Sequence, residues 1–138
     1  FLRSKADAFY EWLRKGLKNQ DLKPSEQLIE ICDLLEQWIL NPGFRGLPFH
    51  IATVEFPDPA HPVHQFSAGL ARELQQYLTD IAAAAGVQDA LALCQQLTMI
   101  FEGAALIERL SPGSGAAGRA KTAAVIVIRS ALAKTVQV

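Results

Sequence analysis

ALALCQQLTMIFEGAALIERLSPGSGAAGRAKTAAVIVIRSALA, residues 90–133, contains two apolar segments of helical length joined by a loop rich in Ser, Pro and Gly. In the first segment apolar residues recur at steps of three or four, which is the period of one helix face. Asp89 stands directly before it and suits an N-cap. These features predict a helical hairpin, with helices over Ala90–Leu110 and Ala116–Ala133.

The second helix of this hairpin is apolar on most of its sides. It is rich in alanine and contains Val125, Ile126, Val127 and Ile128 consecutively. Such a helix must be buried on most sides, and the last helix of a small domain finds too little cover within one chain. We therefore predict a homodimer in which the two helices pair with their copies as a four-helix bundle. Val125 and Ile128 are expected to face the monomer's own core. The predicted interface residues are Leu93, Leu97, Ile100, Ala104, Ile107, Ala120, Ala123, Ala124, Val127 and Ala131.

Three further helices are predicted upstream of the hairpin. The first covers roughly Lys5–Leu17, with Ser4 and Asp7 resembling a capping box. The second starts near Pro24, which fits the first helical turn, and it is clearly amphipathic. The third is long and runs from about Val63 to Ala85, and Gly86 is a natural residue to end it. Its predicted core-facing residues are Phe66, Leu70, Leu74, Tyr77, Leu78 and Ile81.

The segment 44–62 is the least regular part of the chain, because four prolines and Gly46 interrupt it. Residues 49–56 have the propensity of a short strand. No second strand candidate follows, and an isolated strand would leave its backbone groups without partners. We therefore interpret this segment as a short irregular helix. The predicted fold class is all-α, with about six helices.

Composition limits the function classes open to these 138 residues. Half of them are hydrophobic and the formal net charge is −1. A self-sufficient nucleic-acid-binding protein usually shows a basic excess, so DNA binding by these residues alone is not supported. No signal peptide is recognisable, and the apolar run Ala123–Ile128 is too short to span a bilayer. We expect a cytoplasmic protein without membrane contact, in which Cys32 and Cys94 are reduced core thiols.

No catalytic motif is found, and an enzyme is not expected. Spacing alone leaves open a catalytic Cys–His pair such as Cys94 with His50, but an apolar environment lowers the reactivity of a thiol. His61 and His64 have metal-ligand spacing only if both lie on one helical turn, and Pro62 separates them. We therefore predict no metal and no cofactor. His61 is expected in a loop or cap.

Residues 43–63, GFRGLPFHIATVEFPDPAHPV, resemble a segment common in one branch of the TetR/AcrR family of transcriptional regulators. There a G-C-P-F turn opens a short helix, and E-F-P-D-P-x-H-P-V leads into the longest helix of the core. Residues 81–86 and the set Gln96, Leu97, Gly103 and Ala104 fit the same pattern more loosely. Leu47 stands where the family has Cys, so no role of that thiol is carried over.

The start of the chain carries a second resemblance to this family. Residues 2–9, LRSKADAF, are similar to the junction that follows the family's recognition helix. The resemblance implies a helix-turn-helix headpiece preceding Phe1, whose recognition helix would enter the major groove of a palindromic operator. Residues 1–4 would be a remnant of that junction, and 5–138 the ligand-binding and dimerisation domain. Lys5 matches a lysine that contacts a DNA phosphate; its alternative reading is a solvated residue in the first turn.

The resemblance also implies an unknown small-molecule effector, bound between the helices of a ligand-responsive repressor. Sites of this kind are mainly apolar, with a few polar groups. The predicted lining residues are Trp12, Trp38, Phe49, His50, Thr53 and His64. Two alternatives stay open on the residues alone. One is a helical homodimeric interaction module without a ligand, which a filled core would favour, and the other is a metal- or thiol-dependent enzyme.

Overall fold

Helices account for the regular structure of the chain in the computed structural model, which describes residues 2–18, 20–41 and 54–136. Side chains are described at 7–18, 20–41 and 54–134. Within these ranges there is no strand, which confirms the all-α prediction. The helices are α1 Leu2–Lys18, α2 Pro24–Leu40, α3 Pro62–Ala84, α4 Ala90–Leu110 and α5 Ala116–Val136. The irregular helix predicted within 44–62 lies mostly outside the described residues. In the described part of this segment, Val54 and Glu55 are helical.

The helix ends follow local signals in the sequence. The Asp89 side chain accepts a hydrogen bond from the Ala92 N–H at 3.1 Å, as an N-cap does. Gly86 has a φ of 89°, the left-handed conformation in which glycine ends a helix without strain. α1 begins at Leu2, so Ser4 lies inside the helix, and the predicted start at Lys5 was too late.

α2 is the central helix of the described part of the chain, because it contacts each of the other four. Its buried face carries Leu28, Ile31, Cys32 and Ile39, all between 0% and 3% exposed. Another side of α2 is acidic and faces α5. There the Lys121 ammonium lies 2.7 Å from an Asp33 carboxylate oxygen and 3.9 Å from one of Glu36. α2 is thus held by apolar contacts and by an ion pair to α5.

α1 is fastened to α2 and α3 by aromatic side chains. The Phe9 ring is fully buried and meets Trp38 edge-on, with 4.9 Å between centroids. Trp12 contacts the same indole at 5.2 Å. Tyr10 donates a hydrogen bond to the Leu70 carbonyl on α3 at 3.4 Å. Edge-on aromatic pairs add to the free energy gained by burial, so these contacts fix where α1 lies.

The core-facing side of α3 differs from the predicted one by a small rotation. Ser67, Leu70, Leu78 and Ala82 are buried, whereas Phe66 is 44% exposed. The sequence interpretation favoured the large apolar side chain over its small neighbour. Because Ser67 takes the inward position, the core next to α3 is less filled than the predicted stripe implied.

α4 and α5 pack against each other and against the rest of the domain, so part of the predicted dimer interface lies within the chain's own core. Half of the predicted interface residues are buried in the chain's own core: Leu93, Leu97, Ala104, Ala120 and Ala124. Ile100, Val127 and Ala131 are half-buried and pack against that core. Only Ile107 and Ala123 of the predicted set are exposed. Ile128 is fully buried, as expected, and Val125 is half-buried.

Candidate functional site: an open apolar cavity and an exposed apolar face

A cavity of about 300 Å³ lies between α1, α2, α3 and α4. Most of its wall is apolar and comes from all four helices. The small side chains Ser67 and Ala71 of α3 stand where larger residues would fill the space. The lining residues are Phe9, Ile31, Cys32, Leu35, Ser67, Ala71, Arg72, Leu74, Gln75, Leu78, Leu97, Thr98, Phe101 and Glu102. A mainly apolar concavity with a few polar groups is the usual form of a small-molecule site.

The hydroxyl and thiol groups on the wall donate their protons to their own helices. Ser67 Oγ donates to the Val63 carbonyl and Thr98 Oγ1 to the Cys94 carbonyl, both at 2.8 Å. Cys32 Sγ donates to the Leu28 carbonyl at 3.4 Å. A hydroxyl whose proton is engaged still has lone pairs that can accept. Toward the cavity these groups therefore offer acceptors.

Two charged residues of opposite sign belong to the wall, and they differ in exposure. Arg72 on α3 is exposed, whereas Glu102 on α4 is half-buried and its Oε2 is shielded from solvent. A Cβ added at Gly69 would lie 3.8 Å from Arg72 Nη2, so the guanidinium lies along the surface of its own helix. Solvent screens an exposed charge more strongly than a sheltered one. Of the two charged groups, the Glu102 carboxylate is therefore the one less screened by solvent.

The predicted ligand residues are not on the described wall of this cavity. Trp12 and Trp38 pack behind Phe9 and support it. His64 lies in the first turn of α3, where its Nδ1 is 2.8 Å from the Phe56 carbonyl oxygen. It is not among the residues that line the cavity. His61 caps α3, as expected, because its Nδ1 accepts from the Val63 N–H at 3.1 Å. Phe49, His50 and Thr53 lie outside the described residues.

Burial makes Cys32 an inert part of the wall. The residue is fully buried, and desolvation raises the pKa of its thiol from the ordinary 9.0 to about 12, despite the opposing effect of Lys121. Burial also raises the pKa of Cys94. Because the thiolate is the reactive form, both cysteines are unreactive at neutral pH. This agrees with the interpretation of both as core thiols.

The raised pKa of Cys32 predicts a loss of stability at alkaline pH. The folded chain holds the thiol proton more tightly than the unfolded chain, so this stabilisation is complete below about pH 8.5. It falls as pH rises through 9 toward 12, with a slope of up to about 1.4 kcal/mol per pH unit. Urea unfolding of the wild type and of Cys32→Ala between pH 8 and pH 11 measures the slope. The difference between the two free energies of unfolding should shrink by about 2–3 kcal/mol; a constant difference would contradict the assignment.

The second feature is an exposed apolar surface on the hairpin of α4 and α5. Met99, Leu106, Ile107 and Leu110 of α4 are 48% to 74% exposed, and Ile126 of α5 is 64% exposed. Small residues accompany them: a Cβ added at Gly103 would meet nothing within 4 Å, and Ala123 is exposed. We call these residues the hairpin face: Met99, Gly103, Leu106, Ile107, Leu110, Ala123 and Ile126.

Gly103 and Ile107 of the hairpin face lie on the flank of α4 that adjoins α5. Gln96, on this flank, lines a surface cleft together with Ala131 and Lys134 of α5. The opposite flank of α4 carries Thr98 and Glu102 and adjoins the cavity. By length and composition alone α4 could cross a membrane, with a mean hydropathy of 1.5, but 39% of that segment is buried inside the chain. The cavity and the hairpin face are thus two sides of one helix.

The backbone of Lys5, the predicted phosphate contact, belongs to α1, and the Lys5 side chain is not among the described side chains.

The signals that could have found the cavity are small or polar residues on core-facing stripes. Ser67 and Ala71 recur with Leu74 and Leu78 at steps of three or four on α3. On α4, Thr98 precedes Phe101 by three residues and Glu102 by four.

The described residues form a helical domain with an open, mainly apolar cavity between four helices. No family model matches the chain. The fold is nevertheless that of a known class of regulators. The crystal structure of SCO4454, a TetR-family transcriptional regulator from Streptomyces coelicolor, superposes with a TM-score of 0.79. It covers 97% of this chain and 68% of its own, at 22% identity. The TetR-like fold predicted from the sequence is therefore confirmed.

Curated proteins similar in sequence are also transcriptional regulators. The HTH-type transcriptional regulator YjdC of Escherichia coli K12 is 22% identical to this chain over 92 residues. The protein of the same name from Shigella flexneri matches equally well. The match covers 67% of this chain and 48% of either relative. The chain thus matches about half the length of these curated relatives.

Proposed function

We propose that this chain is the effector-binding and dimerisation core of a TetR/AcrR-like transcriptional repressor. The observation that carries the proposal is the cavity between α1, α2, α3 and α4 in a TetR-like fold. It favours a ligand-responsive protein over an interaction module, for which a filled core was expected. The sequence relationship to HTH-type regulators supports the same proposal.

The ligand acts by changing the balance between two conformations of the protein. A molecule in the cavity contacts α1 and α4 at once, through Phe9 on one side and Phe101 on the other. α1 is the first described helix and is the one that would continue from a DNA-binding headpiece. A ligand that binds one placement of α1 more tightly shifts the population toward it. The headpieces of a dimer would then no longer match their two half-sites.

The hairpin face is the proposed dimer interface, because five of the residues that the sequence predicts there are buried in the chain's own core. A contiguous exposed apolar patch is a common mark of a protein–protein contact. Gly103 and Ala123 allow a second pair of helices to approach closely, and the larger apolar side chains surround them. A two-fold axis through this face would pair the hairpin with its copy. The four helices would then form the predicted bundle.

DNA binding requires residues beyond the described helices, with Lys5 as a phosphate contact that positions the protein without reading sequence. Selection of random duplex DNA by the full-length protein tests the function directly. We expect enrichment of one two-fold symmetric site, released steeply by salt, and no enrichment by the 138-residue chain alone. Sequence-selective binding by the 138 residues would show that the DNA-reading surface is misplaced. Failure of the full-length protein to select any site would contradict the proposed function.

We expect the protein to be located in the cytoplasm.

A further inference from the structure

α1 is attached to its two neighbouring helices in different ways. Within the described part of the chain it packs only against α2 and α3. Toward α2 the contact is close and apolar: the fully buried Phe9 ring meets Trp38, and a Cβ added at Gly16 would lie 2.8 Å from Leu34 Cδ2. The short connection 19–23 also joins the two helices. These contacts hold α1 on α2 along most of its length.

Toward α3 the attachment is a single cluster of two tyrosines and an arginine. The Arg14 guanidinium carbon lies 5.1 Å from the centroid of the Tyr10 ring and 5.5 Å from that of the Tyr77 ring. The two rings meet edge-on, with 6.4 Å between centroids, and the Tyr10 hydroxyl donates to the Leu70 carbonyl at 3.4 Å. We call Tyr10, Arg14 and Tyr77 the tyrosine latch.

The tyrosine latch is the weaker of the two attachments and lies beside the cavity. A cation that faces an aromatic ring near solvent contributes less stability than a fully buried phenyl ring. Tyr10 follows the lining residue Phe9 on α1, and Tyr77 precedes the lining residue Leu78 on α3. A force that pushes Phe9 away from Leu78 therefore acts on the latch first, while the contacts of α1 with α2 remain.

We propose that the tyrosine latch is the switch of this regulator. Closed, it holds α1 against α3 in the placement that binds DNA. Open, it lets α1 separate from α3 while α1 stays on α2. The inference rests on the proposed function, in which α1 continues from the DNA-binding headpiece and an effector occupies the cavity beside the latch. An effector that binds the open latch more tightly shifts the population toward it.

Distances between spin labels test the latch in the purified chain. Labels on Ala8→Cys of α1 and Ala83→Cys of α3, both exposed positions, report the separation of the two helices. Cys32 and Cys94 are buried and the pKa of each thiol is raised, so they do not take up the label at neutral pH. Arg14→Met removes the cation and keeps a flexible side chain. The fraction of molecules at the longer distance should rise at least about threefold.

Lys15→Met is the matched control, because Lys15 is the neighbouring cation of the same helix and is exposed. Its distance distribution should equal that of the wild type. An unchanged distribution in Arg14→Met would show that the cluster does not hold α1, and an equal change in the two variants would reduce the effect to general charge. Either result would overturn the proposal.

The two tryptophans of the chain report whether α1 stays on α2. Trp12 of α1 and Trp38 of α2 lie 5.2 Å apart, and the sequence has no other tryptophan. Two indoles this close couple in circular dichroism, so the coupled bands depend on the α1–α2 contact. We expect the same bands in the wild type and in Arg14→Met. Loss of the bands together with the short α1–α3 distance would mean that α1 detaches as a whole, which contradicts a latch.

The link to DNA is tested with the full-length protein and the duplex that it selects. If the duplex binds the closed latch more tightly, reciprocity requires that it returns labelled Arg14→Met to the short distance. A duplex that binds this variant and leaves the longer distance unchanged would overturn the role of the latch in DNA binding. If the full-length protein selects no duplex, the proposed function fails, whereas the distances in the purified chain still decide whether the latch holds α1.

Discussion

Replacing Ile107 by Glu is expected to convert the proposed dimer into a folded monomer. Ile107 belongs to the hairpin face and is 49% exposed in the single chain, so a glutamate there remains in water in the monomer. In the proposed dimer the carboxylate would be buried and unpaired, which costs several kcal/mol, on the order of 3–5. Because the proposed interface lies on a two-fold axis, each dimer contains the substitution twice. We expect dimer dissociation to increase by at least about 1000-fold.

Sedimentation velocity measured over a range of protein concentrations tests this expectation, and Leu91→Glu is the matched control. Leu91 is on the same helix and 46% exposed. It is 16 residues from Ile107, which places it about 160° away around the helix, outside the hairpin face. We expect Leu91→Glu to remain dimeric. A wild-type chain that is a folded monomer at micromolar concentration would contradict the interface, as would equal dissociation of the two variants.

Gly103→Leu separates folding from assembly in a second way. The position has open space around an added Cβ, and leucine has a higher helix propensity than glycine by nearly 1 kcal/mol. The monomer should therefore be at least as stable as the wild type. The close approach of two hairpins should be lost, because the bulkier side chain separates them. Val127→Glu, in contrast, would mainly test the monomer, since Val127 packs against the chain's own core.

Replacing Phe9 by Ala will reduce the free energy of unfolding by about 3–5 kcal/mol, the usual cost of removing a fully buried phenyl ring. The ring is 0% exposed, contacts Trp38 edge-on and forms part of the cavity wall. Its loss would extend a space that already exists, so the surrounding side chains cannot close it. Since domains are stable by only about 5–15 kcal/mol, this is a large share of the total.

Urea unfolding followed by circular dichroism measures the effect, with Phe66→Ala as the control of equal chemistry. Phe66 is 44% exposed, so its truncation should cost less than about 1 kcal/mol. Equal losses in the two variants would mean that α1 is not packed as described. In that case Phe9 would not belong to the cavity wall.

Helix type and helix ends could be predicted because their signals lie within a few residues of one another. Asp89 and Gly86 act on backbone groups of the adjacent turns, and the prolines fix the first turns of α2 and α3. The all-α class followed from five periodic segments separated by breakers, each of which is visible in the sequence alone.

The site could not be predicted equally well, because periodicity shows that a stripe is buried but not what buries it. Leu97 was predicted at the dimer interface, yet it lies on the cavity wall. α4 and α5 are apolar on several sides, so the stripe facing the core and the stripe facing outward have the same spacing. Only tertiary contacts separate them, as the full burial of Ala124 beside the exposed Ala123 demonstrates. The predicted lining residues Trp12 and Trp38 have large side chains, whereas the cavity lies next to the small side chains of Ser67 and Ala71.

α4 forms one wall of the cavity and also carries most of the hairpin face. Phe101 points to the cavity and Gly103 to the outside, two residues apart and therefore on nearly opposite sides of the helix. A roll of α4 about its own axis changes both surfaces together. Thermodynamic reciprocity then requires that a ligand and a second copy alter each other's affinity by the same factor. Ligand affinity would vary with protein concentration across the monomer–dimer transition, so such a regulator would respond to its own abundance as well as to its effector.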